Sequence, residues 1–160
     1  MEKKSLTYGR YYLAYGSNLN LKQMQNICKY FSLEGKMVLK DYRLAYKGVA
    51  DGEAFLTIEP SEGSYVPVAI YKINVISQVN LDKYEGCPLF YHKEYMNIDI
   101  DGKNKKALIY VMNDEFNYYL PSQEYVKICK EGYSNFGFDE IFLDDAYLYS
   151  FDKEDKQKLK

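Results

Sequence analysis

The segment Leu81-Asp82-Lys83-Tyr84-Glu85-Gly86-Cys87-Pro88 puts a carboxylate where carboxylates are disfavoured. The pattern predicts a short helix over 77–84, capped by Ser77 and closed by Gly86, with Glu85 at its last position. A helix C-terminus presents unpaired carbonyls of negative partial charge, and Tyr84, Leu89 and Phe90 supply apolar cover. Both effects disfavour the ionised form and raise the pKa, which suits a side chain that takes a proton and returns it. Glu85 is therefore a candidate general acid/base; a solvated Glu paired with a nearby Lys is the ordinary alternative.

A second segment, YYLAYGSNLN over residues 11–20, ends a hydrophobic run in three small residues. The run suits a buried strand, and Gly16-Ser17-Asn18 suits a strand-to-helix turn with Ser17 or Asn18 near the N-cap. Without a Cβ, Gly16 lets a ligand approach the main chain, and the N–H groups of residues 17 to 20 suit a carboxylate or a developing oxyanion. Ser17 is read as a turn residue rather than a nucleophile. The only histidine, His92, falls on an expected strand, and no Ser-His-acid set assembles around it. Cys87 has no assigned base and reads as a small filler.

These groups must be held by a framework. Leu21, Met24, Ile27, Cys28 and Phe31 recur at helical spacing after the first turn. Residues 37–46, 54–58 and 66–73 read as strands separated by turns at 48–52 and 61–64. Residues 91–100 and 106–112 form an expected hairpin around Asp101-Gly102. From Pro121 the chain turns helical, with Tyr125, Ile128, Cys129 and Gly132 on one side, and a second helix is expected over 139–148. The class is α+β: a compact, strongly curved, mostly antiparallel sheet or small barrel flanked by helices. One domain is expected over residues 1–150, followed by a charged tail or frayed helix end over 151–160.

The 160-residue chain is long enough to remove roughly 70% of its unfolded surface from water without a disulfide or metal staple. Its 21 Lys and Arg against 23 Asp and Glu leave no electrostatic footprint for nucleic acid or an anionic membrane. Small neutral or zwitterionic partners fit better. Cys28, Cys87 and Cys129 are odd in number and widely spaced, which excludes a patterned zinc site and suits a reducing, cytoplasmic setting. The first ten residues lack an apolar export core, and no apolar stretch is long enough to span a bilayer. The 19 Tyr residues fall mostly at strand or helix spacing, where packing accounts for them.

Taken in order, YLAYGSNL at 12–19, DYRLAY at 41–46, LDKYEG at 81–86 followed by Tyr91, and PSQEYVKI at 121–128 resemble the γ-glutamylcyclotransferase-like (AIG2-like) family. The resemblance implies a barrel-like αβ fold with one cavity, enclosed by Tyr15, Gly16, Ser17, Asn18 and Leu19, with Glu85 as general acid/base. It implies a small γ-glutamyl substrate, no metal or other cofactor, and a monomer or homodimer. The reaction implied is attack of the γ-glutamyl α-amine on its own γ-carbonyl, releasing 5-oxoproline and an amine or amino acid. Tyr91, Tyr110 and Tyr125 match aromatic positions of similar sequences, with core packing as the competing role for each. Two positions depart from the family's habit: Ile27-Cys28 stands where an Arg-Cys pair is common, and Pro67 where a large residue or Gly is favoured.

Overall fold

Strand β1 (Arg10–Ala14) is only five residues long, yet it lies in the middle of a curled six-stranded sheet. The computed structural model describes residues 9–159; of the ten residues on which the expectation about an export core rests, 1–8 lie outside them. A 3₁₀ turn over Ser17–Leu19 joins β1 to helix α1 (Leu21–Ile27). Then come the long strands β2 (Phe31–Ala50) and β3 (Glu53–Ile73), helix α2 (Val75–Tyr84), the hairpin β4 (Tyr91–Ile100) and β5 (Lys103–Met112), and short β6 (Asn117–Tyr118). Helices α3 (Gln123–Phe136) and α4 (Ile141–Lys158) complete the chain. The sheet order is β4-β5-β1-β3-β2-β6, all antiparallel except β1 with β5. The result is a half-barrel with helices packed on it, the expected α+β class.

The parallel β1–β5 pairing rests on two register pairs, Tyr11 with Ala107 and Tyr12 with Leu108, whereas β4 and β5 pair along their whole length. Strands β1, β3 and β5 are buried on both faces: Leu13, Val68, Ile70 and Ile109 share one, and Tyr12, Tyr71 and Leu108 the other.

Several boundaries differ from the sequence reading. The three middle strands are one long hairpin: residues 61–64 bulge out opposite Asp41 while the ladder resumes on both sides, with Lys40 facing Tyr65 and Tyr42 facing Pro60. The Gly63 N–H donates to Asp41 Oδ1 at 3.0 Å and fixes that bulge. Phe31 starts β2 instead of ending a helix. The N-cap of α1 is Asn20, whose Oδ1 accepts from the N–H of Lys22 and Gln23; α2 starts at Val75 behind the cap Asn74. Helix α4 runs through residues read as a tail, because Glu154 is buried and Gln157 exchanges hydrogen bonds with the Tyr118 main chain. Tertiary contacts there override a charged local sequence.

Helix α3 packs directly on the 17–20 turn. A Cβ at Gly132 would stand 2.5 Å from the Asn20 nitrogen and 2.7 Å from the Leu19 carbonyl carbon, so only glycine permits the approach. Asn20 Nδ2 closes the contact, donating to Ile128 O at 3.1 Å and to Glu131 at 2.7 Å. Gly132→Ala must therefore push α3 off the turn, and a loss of about 1–3 kcal/mol is expected from overpacking. Urea denaturation of the variant reads it; an unchanged midpoint would show that the helix yields freely.

Candidate active site

The half-barrel holds a cavity of about 120 Å³ beside the end of β1. The end of β1 and the turn beyond it contribute Tyr12, Tyr15, Gly16, Ser17 and Asn18 to its lining. The end of α2 contributes Tyr84 and Glu85, the start of β3 contributes Phe55 and Leu56, and Phe90, Tyr91, Tyr110 and Tyr125 close the remaining sides. Segments that are remote in sequence thus meet because β1 is central and α2 ends against its turn.

Glu85 is the C-cap of α2: its N–H donates to Leu81 O at 2.9 Å, and Gly86 follows in the left-handed conformation with φ +63°. That reversal, which glycine adopts without strain, turns the chain back so that the Phe90 N–H reaches Gly86 O. The Glu85 carboxyl is half-buried, and burial pushes its pKa up to about 8. Among the described residues it forms no ion pair; Lys93 instead pairs with Asp82 at 3.0 Å. The ordinary alternative of a lysine-paired surface Glu is therefore not what the fold provides.

Asn18 is the polar centre of the turn. Its Nδ2 donates to Tyr12 Oη at 2.9 Å and makes a long contact to Glu85 Oε1 at 3.4 Å. Its Oδ1 accepts from Gln23 Nε2 at 3.0 Å and its carbonyl accepts from the Tyr71 hydroxyl at 2.9 Å, so the side chain is held from both ends. The backbone differs in one respect from expectation. The N–H groups of Leu19 and Asn20 are used inside the turn, bonding Gly16 O and Ser17 O, while among the described residues those of Ser17 and Asn18 have no partner. Two donors rather than four are left for an anion.

Leu19, grouped with the turn in the sequence reading, does not line the cavity; it is fully buried against Gly132. Tyr15, Tyr91, Tyr110 and Tyr125 all line it, with hydroxyls engaged elsewhere. Tyr15 donates to Tyr110 O at 2.6 Å, Tyr91 donates to Leu56 O at 2.8 Å, Tyr110 donates to Asp82 at 2.6 Å, and Tyr125 accepts from the Leu56 N–H at 3.1 Å. Burial, with Glu85 as a further cause, holds Tyr12 and Tyr15 well above the ordinary phenol range, so both stay protonated. Sequence reasoning missed Tyr12, Phe55 and Leu56 as lining residues. Tyr12 was accessible to it, being buried on the strand that leads into the turn; Phe55 and Leu56 arrive only through β-register. Burial also pushes the Cys28 thiol up to about 11 and Cys129 to about 12, which leaves neither a nucleophile near neutral pH.

The family model for gamma-glutamyl cyclotransferase, AIG2-like proteins matches residues 12–132, the span that contains every one of these lining residues. The chain belongs to the gamma-glutamyl cyclotransferase, AIG2-like family. Among solved structures, an uncharacterized protein from Homo sapiens superposes with a TM-score of 0.74 at 23% identity, covering 88% of this chain and 87% of that one. A gamma-glutamyl cyclotransferase superposes at 0.70 with 22% identity, covering 86% and 85%. YkqA from Bacillus subtilis gives 0.70 at 21% identity, covering 88% of this chain and 54% of the other. These likenesses establish the AIG2-like fold. No curated protein matched the chain in sequence. Among the described residues no helix is long and apolar enough to cross a membrane.

Two outcomes follow from this geometry. A Cβ on Gly16 would lie 3.4 Å from both Leu56 Cβ and Tyr125 Oη; alanine fits at ordinary contact, whereas the extra methyls of Gly16→Val must enter the cavity or displace its wall. Ligand affinity should fall sharply in the valine variant while circular dichroism retains the helices; normal affinity in a folded variant would show that the turn does not meet the ligand. The second concerns Glu85. Its folded pKa of about 8 lies above the ordinary carboxyl value of 4.5, so the folded state binds the proton more tightly and loses stability as pH rises from about 4.5 to about 8. Glu85→Gln should be more stable than the parent at pH 8, and the gap should close near pH 4.5. Thermal unfolding across that range measures it.

Proposed function

We propose that the protein is a cofactor-independent γ-glutamyl cyclotransferase in which Glu85 moves the protons. The carrying observation is a desolvated carboxyl, unpaired among the described residues, that shares one cavity with a turn whose Ser17 and Asn18 N–H groups have no partner among those residues. Family membership supplies the substrate class. The N–H groups of Ser17 and Asn18, with Gly16 leaving the main chain open and Asn18 Nδ2 beside them, receive a carboxylate or the oxyanion of the tetrahedral intermediate. Tyr15, Tyr91, Tyr110 and Tyr125 contribute ring faces that shape the γ-glutamyl chain for ring closure and keep water out.

The atom balance is closed without water. The α-nitrogen bonds to the γ-carbonyl carbon, and the original amide C–N bond breaks. The α-ammonium nitrogen gives up two protons on its way to the lactam N–H, and the released nitrogen takes up the same two on its way to an ammonium. One carboxylate within reach of both nitrogens accomplishes the relay, accepting when ionised and donating when neutral. A pKa near 8 keeps both forms accessible around neutral pH. The carboxylate and the substrate amine must hold one proton fewer than at low pH, so kcat/KM should rise with pH towards about 8, whichever of the two gives it up.

Glu85→Gln keeps the shape and removes the relay. Turnover should fall by about 10²–10⁴-fold with substrate binding retained, measured as 5-oxoproline release from γ-glutamyl-alanine, γ-glutamyl-ε-lysine and γ-glutamyl amines. Full activity in this variant would refute the assignment. Exhaustive EDTA treatment should leave the parent's rate unchanged; loss restored by one particular metal would refute the cofactor-independent route.

A further inference from the structure

We infer that the cleft between α3 and α4 is a second small-molecule site, separate from the cavity at Glu85, and that it takes a free α-amino acid with an apolar or aromatic side chain. The cleft holds about 460 Å³, within the ordinary range of small-molecule sites, and it shares no lining residue with the cavity at Glu85. Binding there does not depend on the cyclotransferase reading.

Tyr46, on β2, is the buried residue of the lining that bears on a ligand most directly. Its ring meets Tyr125 edge to face at 6.4 Å and Tyr147 at 6.3 Å, and its N–H donates to Ser150 Oγ at 2.7 Å, so the residue is held from several sides. Its hydroxyl is buried and, among the described residues, has no hydrogen-bond partner. A buried phenol left unmet is costly, and a ligand in the cleft is positioned to meet it. Burial first, then the nearby Cys129, Asp144 and Tyr147, holds this phenol well above its ordinary range, so it stays a donor. The group it lacks is an acceptor.

The two walls supply the rest. Lys127 stands on the α3 side and Asp144 on the α4 side, both exposed, and neither forms an ion pair among the described residues, whereas Lys130 is drawn to Glu140 at 3.9 Å. Val126, Leu143 and the Tyr147 ring add apolar surface to the same lining. A buried donor, an unpaired cation and an unpaired anion around an apolar groove match the groups of one ligand class. The carboxylate of an amino acid accepts from Tyr46 Oη and pairs with Lys127, its ammonium pairs with Asp144, and its side chain covers the groove. A plain carboxylic acid leaves Asp144 without a cation, and a plain amine leaves Tyr46 without an acceptor.

Three compounds built on one phenylethyl skeleton separate these contributions: L-phenylalanine, 3-phenylpropanoate, which lacks the ammonium, and 2-phenylethylamine, which lacks the carboxylate. Titration calorimetry on the full chain should give L-phenylalanine a Kd about fivefold below that of 3-phenylpropanoate and on the order of tenfold below that of 2-phenylethylamine. Tyr46→Phe keeps the ring and removes the donor; L-phenylalanine should bind it about tenfold more weakly, with 2-phenylethylamine unaffected. Lys127→Gln and Asp144→Asn, at exposed positions that folding tolerates, should each cost a few-fold. Glu85→Gln should bind L-phenylalanine as the parent does. No measurable binding of L-phenylalanine, equal affinity for all three compounds, or unchanged affinity in both charge variants overturns the inference. Binding that falls in Glu85→Gln yet holds in Tyr46→Phe assigns the ligand to the Glu85 cavity and overturns it as well.

Discussion

The site depends on how closely the backbone of α3 approaches the turn after β1. Gly132 leaves that space, and Asn20 converts the contact into a fixed joint by capping α1 with one side-chain atom while holding α3 with another. Because the joint fixes residues 17–20, it fixes where the free Ser17 and Asn18 N–H groups point. It also brings Tyr125 close enough to take the Leu56 N–H and to complete the cavity wall. One residue without a side chain thereby couples a helix near the C-terminus to a turn near the N-terminus.

Desolvation sets the proton affinity of the carboxyl that this geometry places in the cavity. An exposed carboxylate is ionised well below neutral pH and makes a weak base. At the end of α2, aromatic rings replace the water that would stabilise its charge, and among the described residues no cation pairs with it.

Local chemistry was well legible in the sequence, and long-range register was not. Glu85 at a helix end before Gly86, the turn at Gly16-Ser17-Asn18, and the hairpin about Asp101-Gly102 each announce themselves within a few residues. The first turn was misread in detail because Ser17, Asn18 and Asn20 are all competent caps, and only the folded chain shows that Asn20 takes the role. Phe55 and Leu56 could not be found because nothing local says which strand residues face a distant helix end. The continuation of α4 to Lys158 was hidden for a related reason: a charged run reads as solvated until Tyr118 and the buried Glu154 are placed beside it. The middle strands erred through Ser61–Ser64, where turn-forming residues mark a bulge and not a reversal.

The half-barrel also has a seam. β2–β3 and β4–β5 are long hairpins, each internally zipped, whereas the parallel join between β1 and β5 has two register pairs. At the cavity end that join is fastened by the Tyr15 hydroxyl on Tyr110 O. Local opening is easiest where the fewest cooperative bonds must break together, so this line, bridged further only by the Tyr91 hydroxyl on Leu56 O and the Met112 N–H on Thr57 Oγ1 among the described residues' hydrogen bonds to β3, is where the β4–β5 hairpin would part from β1 as a leaf. In native-state hydrogen exchange the amides along the join would then trade with solvent by sub-global opening, ahead of those inside either hairpin, and the tyrosine fastener would set how often the leaf parts from β1.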